Sequence, residues 1–205
     1  RREFSTNLGL AIVNLVVLAP LVAAPVAAFH GLIAAPPALT ALWSALPGMI
    51  VCLLTLMCNE FVVYWRHRFE HHPLLWRFHA THHADTRYHW LTVLRKHPVS
   101  AVLSRLVDAL LLLVLGFPLW AVAAVGLITS FWGFFIHADV PWTLGRLGRW
   151  LISPAAHRLH HIRDEALMGA NFGNTLTLWD RVFGTYVDPA PHVHCETGIA
   201  EGTRG

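Results

Sequence analysis

Six of the seventeen residues from His67 to His83, "HRFEHHPLLWRFHATHH", are histidine. Neutral imidazole is the commonest metal ligand, and residues three or four apart on a helix share a face. His67 and His71 form such an i, i+4 pair, and His79, His82 and His83 form an H-x-x-H-H cluster. A second H-x-x-H-H follows at His157, His160 and His161, and His137 stands between them in "FFIHADVPW". One tetrahedral zinc needs four ligands. Nine imidazoles fit two metal ions of higher coordination number, with room for an exogenous ligand. Imidazole suits zinc, copper, iron and nickel. The Glu-x-x-His pairs of soluble di-iron bundles do not occur in the sequence, so the expected site is nitrogen-rich and carboxylate-poor. His72, before Pro73, and His97, before Pro98, are further possible ligands. His192 and His194 are expected to be solvated bystanders.

The elements that must position these rings are apolar. Of the 205 residues, 55% are hydrophobic and 13% charged, and no Lys, Arg, Asp or Glu lies between Phe4 and Asn59. That composition predicts an all-α integral membrane protein and excludes an ordinary soluble surface. Four spans are expected: Leu8–Phe29 with kinks at Pro20 and Pro25, Leu39–Val63, and a hairpin of Val99–Leu115 and Leu119–Ile136 turning at Gly116. The seventeen-residue third span reaches roughly 25 Å, short of a ~30 Å bilayer core. Arg105 and Asp108 on it are placed to pair with each other.

All fifteen Lys and Arg fall in Arg1–Arg2, Arg66–Arg105 and Arg146–Arg204. With four spans, those segments share one side of the bilayer, which the positive-inside rule makes cytoplasmic. Fourteen of the fifteen histidines lie there too, His30 being the exception. The basic residues form no single run, so the net charge of +3 does not indicate nucleic-acid binding. The three cysteines, Cys52, Cys58 and Cys195, have neither metal nor redox spacing. "WTLGRLGRWL", Trp142 to Leu151, sets Leu144, Leu147 and Leu151 against Arg146 and Arg149. It is expected as a short helix in the cytoplasmic interface, with Trp142 and Trp150 at headgroup depth. The Pro/Gly-rich stretch from Asp188 is expected to be a flexible tail.

"YWRHRFEHHPLLWRFHATHH", "LRKHP", "FFIHADVPW", "HRLHH" and "NFGNTLTLWDRVFGTY" together resemble the fatty acid hydroxylase/sterol desaturase superfamily, from about Asn59 to Tyr186. The superfamily's H-x3-H, H-x2-H-H, H-x2-H-H pattern falls on His67/His71, His79/His82/His83 and His157/His160/His161. Its histidine before the interfacial segment falls on His137, and the W-D-x-x-F-G-T signature on Trp179 to Thr185. Where relatives often carry Asn after "HA", this chain has Asp139, a further possible ligand.

The resemblance implies two irons and O2 as co-substrate, in an oxidoreductase that hydroxylates or desaturates a lipid such as a sterol or fatty acyl chain. It implies a lipid substrate entering from the bilayer and a separate electron donor of ferredoxin or cytochrome type. The expected location is a bacterial inner membrane with a cytoplasmic active site. The expected division is residues 1–63 as N-terminal spans, 64–187 as the catalytic domain including the hairpin at 99–136, and 188–205 as the tail. Asp85, Asp164, Glu165, Asp180 and Glu70 are the expected acceptors for ring nitrogens not on metal. The alternative is a membrane metal transporter or a metal-binding protein without oxygenase activity. Transporters place ionisable groups along the path through their spans, and here the spans are nearly empty of them, Asp108 being the main exception.

Overall fold

The computed structural model describes residues 2–32 and 35–200. Residues 33 and 34 of the expected His30–Ala38 loop, the side chain of His30, and tail residues 201–205 lie outside the described residues. The described chain is helical, and its only β pairing is two isolated bridges, Leu151 with Leu176 and Ile162 with Thr197.

The first apolar stretch forms α1 (Arg2–Ile12) and α2 (Ala19–Leu32), joined by a π-helical segment at Val13–Leu18. Pro20 and Pro25 do not stop the helix. The turn preceding Pro20 widens instead, because proline leaves a carbonyl without its i→i−4 donor. The second stretch differs from the single span expected at Leu39–Val63. It is α3 (Pro37–Ala45), a break, and α4 (Gly48–Glu70). Pro47 is the cause: it stands at the N-cap of α4 and pushes the preceding Leu46 to an extended ψ of 147°. Beyond the break α4 runs unbroken across residues 63 and 64 and carries His67 to its end.

Three helical stretches among the described residues are long and apolar enough to cross a membrane: Glu3–Ala28, Gly48–Glu70 and Leu119–Ile136. The last is α7; the other arm of its hairpin, α6 (Pro98–Val114), has 17 residues and falls short. The expected count of four is therefore not reached by length. α6 packs against α2, α4 and α7. At the hairpin end, Val51, Leu112, Phe117 and Ala121 form a buried cluster. Trp43 stacks on Phe117 at 4.4 Å and donates its indole N–H to the Leu115 carbonyl at 3.0 Å.

The opposite end is a cap of short elements: α5 (Pro73–His83), α8 (Pro154–His160) and α9 (Leu178–Val182). The amphipathic helix expected over Trp142–Leu151 is absent; the segment holds only a 3-10 turn at Gly145–Arg149. Leu144 and Gly145 adopt left-handed φ of 60° and 53°, which no α-helix continues through. Trp142, Leu147 and Trp150 remain exposed.

The tail is also not free where it is described. Arg163 N–H donates to Glu196 O at 2.9 Å, and Thr197 Oγ1 to Asp85 O at 3.0 Å. Gly198 N–H donates to His161 O at 3.3 Å. These bonds tie residues 196–198 to the cap, within the stretch expected as a flexible tail.

Candidate metal centre

α4 delivers His67 at its last turn and His71 just beyond its end. Pro73 at the first position of α5 restarts the chain at once, so His79, His82 and His83 come back beside them. His137 caps the C-terminus of α7. Ser153 accepts the N–H of Ala156 to start α8, which presents His157, His160 and the adjoining His161.

All nine rings expected from spacing converge, in two groups. His67, His71, His79, His83 and His160 form one; His82, His137, His157 and His161 form the other. Within each group one nitrogen per ring lies within 4.8 Å of all the others. Every ring is buried except His71, which is half-buried.

Four rings point Nδ1 outward at a backbone carbonyl: His67 at Phe172 (2.8 Å), His82 at Arg95 (3.2 Å), His137 at Gly133 (2.7 Å) and His160 at Ala170 (2.7 Å). A carbonyl only accepts, so each of these Nδ1 atoms donates and each Nε2 is left as a bare lone pair. The Nε2 atoms of His82 and His137 then face each other at 3.4 Å. No hydrogen can bridge two lone pairs, but a cation can. The remaining inward pairs are similar: His71 to His160 at 3.2 Å, His79 to His83 at 3.1 Å and His137 to His157 at 3.1 Å. Metal–imidazole bonds of about 2.1 Å place neighbouring nitrogens about 3.0 Å apart at right angles and about 3.4 Å apart at the tetrahedral angle. The donor set therefore fits two metal ions. His83 Nδ1, His157 Nδ1 and His161 Nε2 are buried with no hydrogen-bond partner.

Burial pushes these rings toward their neutral, ligating form. It drives the pKa of His160 down to about 4 and of His137 to about 3. The same cause, reinforced by neighbouring rings, holds His71, His79, His82, His83, His157 and His161 well below the ordinary imidazole value. At neutral pH a metal meets no proton competition there.

Carboxylates contribute less than expected. Glu70 alone of the five candidates touches a ring, with Oε2 3.4 Å from His79 Nδ1. Asp180 acts through the backbone: it accepts the N–H groups of Phe172 and Gly173 at 2.7 and 2.8 Å and the Thr185 hydroxyl at 2.7 Å. It thus fixes the loop whose Phe172 carbonyl holds His67, which is the physical use of the W-D-x-x-F-G-T signature. A Cβ on Gly173 would lie 2.4 Å from the Leu176 carbonyl, so only glycine fits that loop. Asp85 instead joins Asn7 and Thr92, both at 2.7 Å, and Asp164 caps the turn at Ala166, with Glu165 exposed beside it.

The three other possible ligands lie outside both groups. His72 Nδ1 accepts Leu74 N–H and His97 Nδ1 accepts Val99 N–H, so both are helix caps. Asp139 is exposed and paired with Arg158. His89 caps the 3-10 turn at Trp90–Leu94. His192 and His194 belong to neither group.

Sequence reasoning missed Glu60 and Lys96. Glu60 is fully buried in α4 and accepts Thr175 and Leu176 N–H at 2.7 and 2.9 Å, tying the span to the loop. A lone carboxylate inside an apolar run was its signal. The expected Arg105–Asp108 pair also fails, because Asp108 is taken by Arg66 at 2.6 Å.

Two cavities meet at this centre. A small one of about 70 Å³ is bordered by His67, His79, His82, His137 and His157. A larger one of about 730 Å³ runs between α2, α4, α6 and α7. Val63, Arg66, Val93, Lys96 and Asn174 wall both.

The fold and site define a helical membrane protein that buries a nine-imidazole centre at one end of its spans. The chain belongs to the fatty acid hydroxylase family, whose model matches residues 52–185. It is 33% identical over 154 residues to the ornithine lipid hydroxylase of Rhizobium tropici, covering 75% of this chain and 46% of that protein. It is 33% identical to the alkylglycerol monooxygenase of Xenopus tropicalis (65% and 30% covered). It is 31% identical to the lathosterol oxidase of Rattus norvegicus (66% and 44%). The chain spans less than half the length of these relatives. No solved structure matches it.

Proposed function

We propose that this chain is a membrane-embedded di-iron oxidoreductase that hydroxylates or desaturates a lipid with O2. The observation that carries the reading is the pair of buried imidazole groups with bare nitrogens facing inward at metal-spanning distances. Two irons, held by His67, His71, His79, His83 and His160 and by His82, His137, His157 and His161, would supply the O2-dependent attack on an unactivated C–H bond. The protein's own contribution is placement and shielding. Outward hydrogen bonds fix the rings, Glu70 steadies His79, and burial keeps water from the site. The small cavity leaves room for a few water-sized groups between the rings.

The larger cavity supports a lipid substrate arriving from the bilayer. The bias of Lys and Arg supports a cytoplasmic centre, in a bacterial inner membrane. Electrons are expected from a separate ferredoxin- or cytochrome-type protein. Rings locked by backbone carbonyls favour a resident metal over one in transit, so transport is the weaker reading.

The test is metal analysis and lipid product analysis on protein extracted in mild detergent with iron supplied. The expected result is close to two irons per chain and O2-dependent oxidation of host lipid. Activity with one zinc and no iron would overturn the reading.

A further inference from the structure

The larger cavity is apolar over most of its wall, with Val22, Val26, Ala109, Leu112, Val122 and Phe134 among its lining. Its charged lining residues are Arg66, Lys96, Arg105 and Asp108. That is three cations and one anion, 3 − 1 = +2, facing a hydrocarbon-like space. The anion is already spent. Arg66 binds Asp108 at 2.6 Å and the neighbouring Glu70 at 2.8 Å. The Lys96 ammonium and the Arg105 guanidinium make no hydrogen bond or ion pair among the described residues, and Arg105 keeps a buried, unpartnered Nη1. Two further lining residues carry orphaned polar atoms, Asn14 Oδ1 and Asn59 Nδ2, on side chains only 4% and 6% exposed.

Unpaired cations in a membrane-embedded wall are costly and mark a ligand path. The backbone around Lys96 is held in place: Asn14 Nδ2 donates to the Lys96 carbonyl at 2.9 Å, and Arg95 is fully buried and bonded to Thr81 O and Asn7. The charged groups near enough to act on Lys96 are Arg66, Glu70, Asp108 and Arg105, and the two anions among them belong to Arg66. An anion entering the cavity would therefore meet two cations that have no ion pair of their own.

We propose that Lys96 and Arg105 form a headgroup subsite for an amphiphile bearing a carboxylate or phosphate, with its chain in the apolar cavity between α2, α4, α6 and α7. Lys96 also walls the histidine cavity, so the headgroup end lies toward the metal centre and the chain toward Val122 and Gly126. This deepens the proposed function by naming the charge of its substrate, and it rests on that reading for its chemistry but not for its binding.

The experiment measures binding of radiolabelled palmitate, hexadecyl phosphate and hexadecanol to the purified chain in neutral detergent. These probes separate a carboxylate source from a phosphate source and both from a neutral headgroup. At least one anionic probe is expected to bind about tenfold more tightly than hexadecanol, or about 1.4 kcal/mol. Lys96→Met is expected to abolish that preference while hexadecanol binding holds, Lys96→Arg to keep it, and Arg105→Gln to weaken it. Arg146→Met, at an exposed arginine, is the control expected to change nothing. Equal binding of all three probes by the unaltered chain, or an undiminished preference in Lys96→Met, overturns the proposal. Iron content is read on the same preparations. Iron-poor protein that still prefers anions keeps the subsite and sinks the di-iron reading, and iron-loaded protein without the preference does the reverse.

Discussion

The five-ring and four-ring groups are built from different parts of the chain. α4 contributes only to the five-ring group, through His67 and His71, and the end of α7 only to the four-ring group, through His137. α5 and α8, with the adjoining His161, contribute to both. Two of the three long spans, α4 and α7, thus own one group each, and the two short cap helices stitch the groups together. Their anchoring differs as well. Three of the five rings have an outward partner, through His67, His79 and His160, against two of the four, through His82 and His137. The four-ring group also holds two of the three orphaned ring nitrogens, on His157 and His161. Each group keeps two rings without an outward partner, and the orphaned nitrogens concentrate the freedom to adjust in the four-ring group, at His157 and His161.

The largest expected effect separates the groups outright. His160→Ala should remove about one metal equivalent and His137→Ala about one other, each with activity loss beyond the roughly 10–100-fold typical of losing an outer partner. Metal per chain by mass spectrometry decides it; if either change empties both groups, the two are one cooperative site. Next, Glu70→Gln should weaken metal binding by about 10–100-fold in the five-ring group alone, because His79 is the one ring of the two groups that Glu70 touches. Competition with a graded chelator reads this, and equal weakening in both groups would refute the separation.

Acid should act on the metal-free protein through both groups. The folded rings titrate below their unfolded value near 6.5, with His160 at about 4 and His137 at about 3. As pH falls through that window the unfolded chain takes up protons that the folded chain refuses, so stability present above pH ~6.5 is lost progressively. Thermal unfolding between pH 7.5 and 4.5 checks the sign; stability that rises on acidification contradicts it. The smallest effect belongs to the caps. His97→Ala and His72→Ala should cost about 1 kcal/mol or less of stability and leave metal content unchanged. Loss of metal in either variant would add a ring that the two groups do not contain.

The rings were legible because metal spacing on a helix is a local property, written in His67/His71 and in two H-x-x-H-H runs. Their outward partners were not. Carboxylates were the expected acceptors, yet four rings use carbonyls of Phe172, Arg95, Gly133 and Ala170, and every residue owns a carbonyl. The break at Pro47-Gly48 was readable and was overridden by the apolar run around it. The Trp142–Leu151 segment misled because periodicity counts Leu and Arg but not the left-handed turn at Leu144-Gly145. Asp108 had a sequence neighbour in Arg105, but the tertiary neighbour Arg66 reached it first. Local pattern thus located the site, while its supports and charges depended on long-range packing.

The strap formed by residues 195–198 adds a constraint of timing. It lies downstream of every ring in the two groups, and it hydrogen-bonds to the His161 carbonyl and bridges Ile162. During synthesis the nine rings emerge first and the strap afterwards, so the backbone around His161 and Ile162 gains these contacts last. Once docked, the strap holds the backbone that carries His161, and it is expected to slow metal exchange through that hold. A chain stopped at residue 193 is expected to reach the same metal stoichiometry but to surrender it faster to a chelator. Equal release rates would show that the strap does not govern exchange.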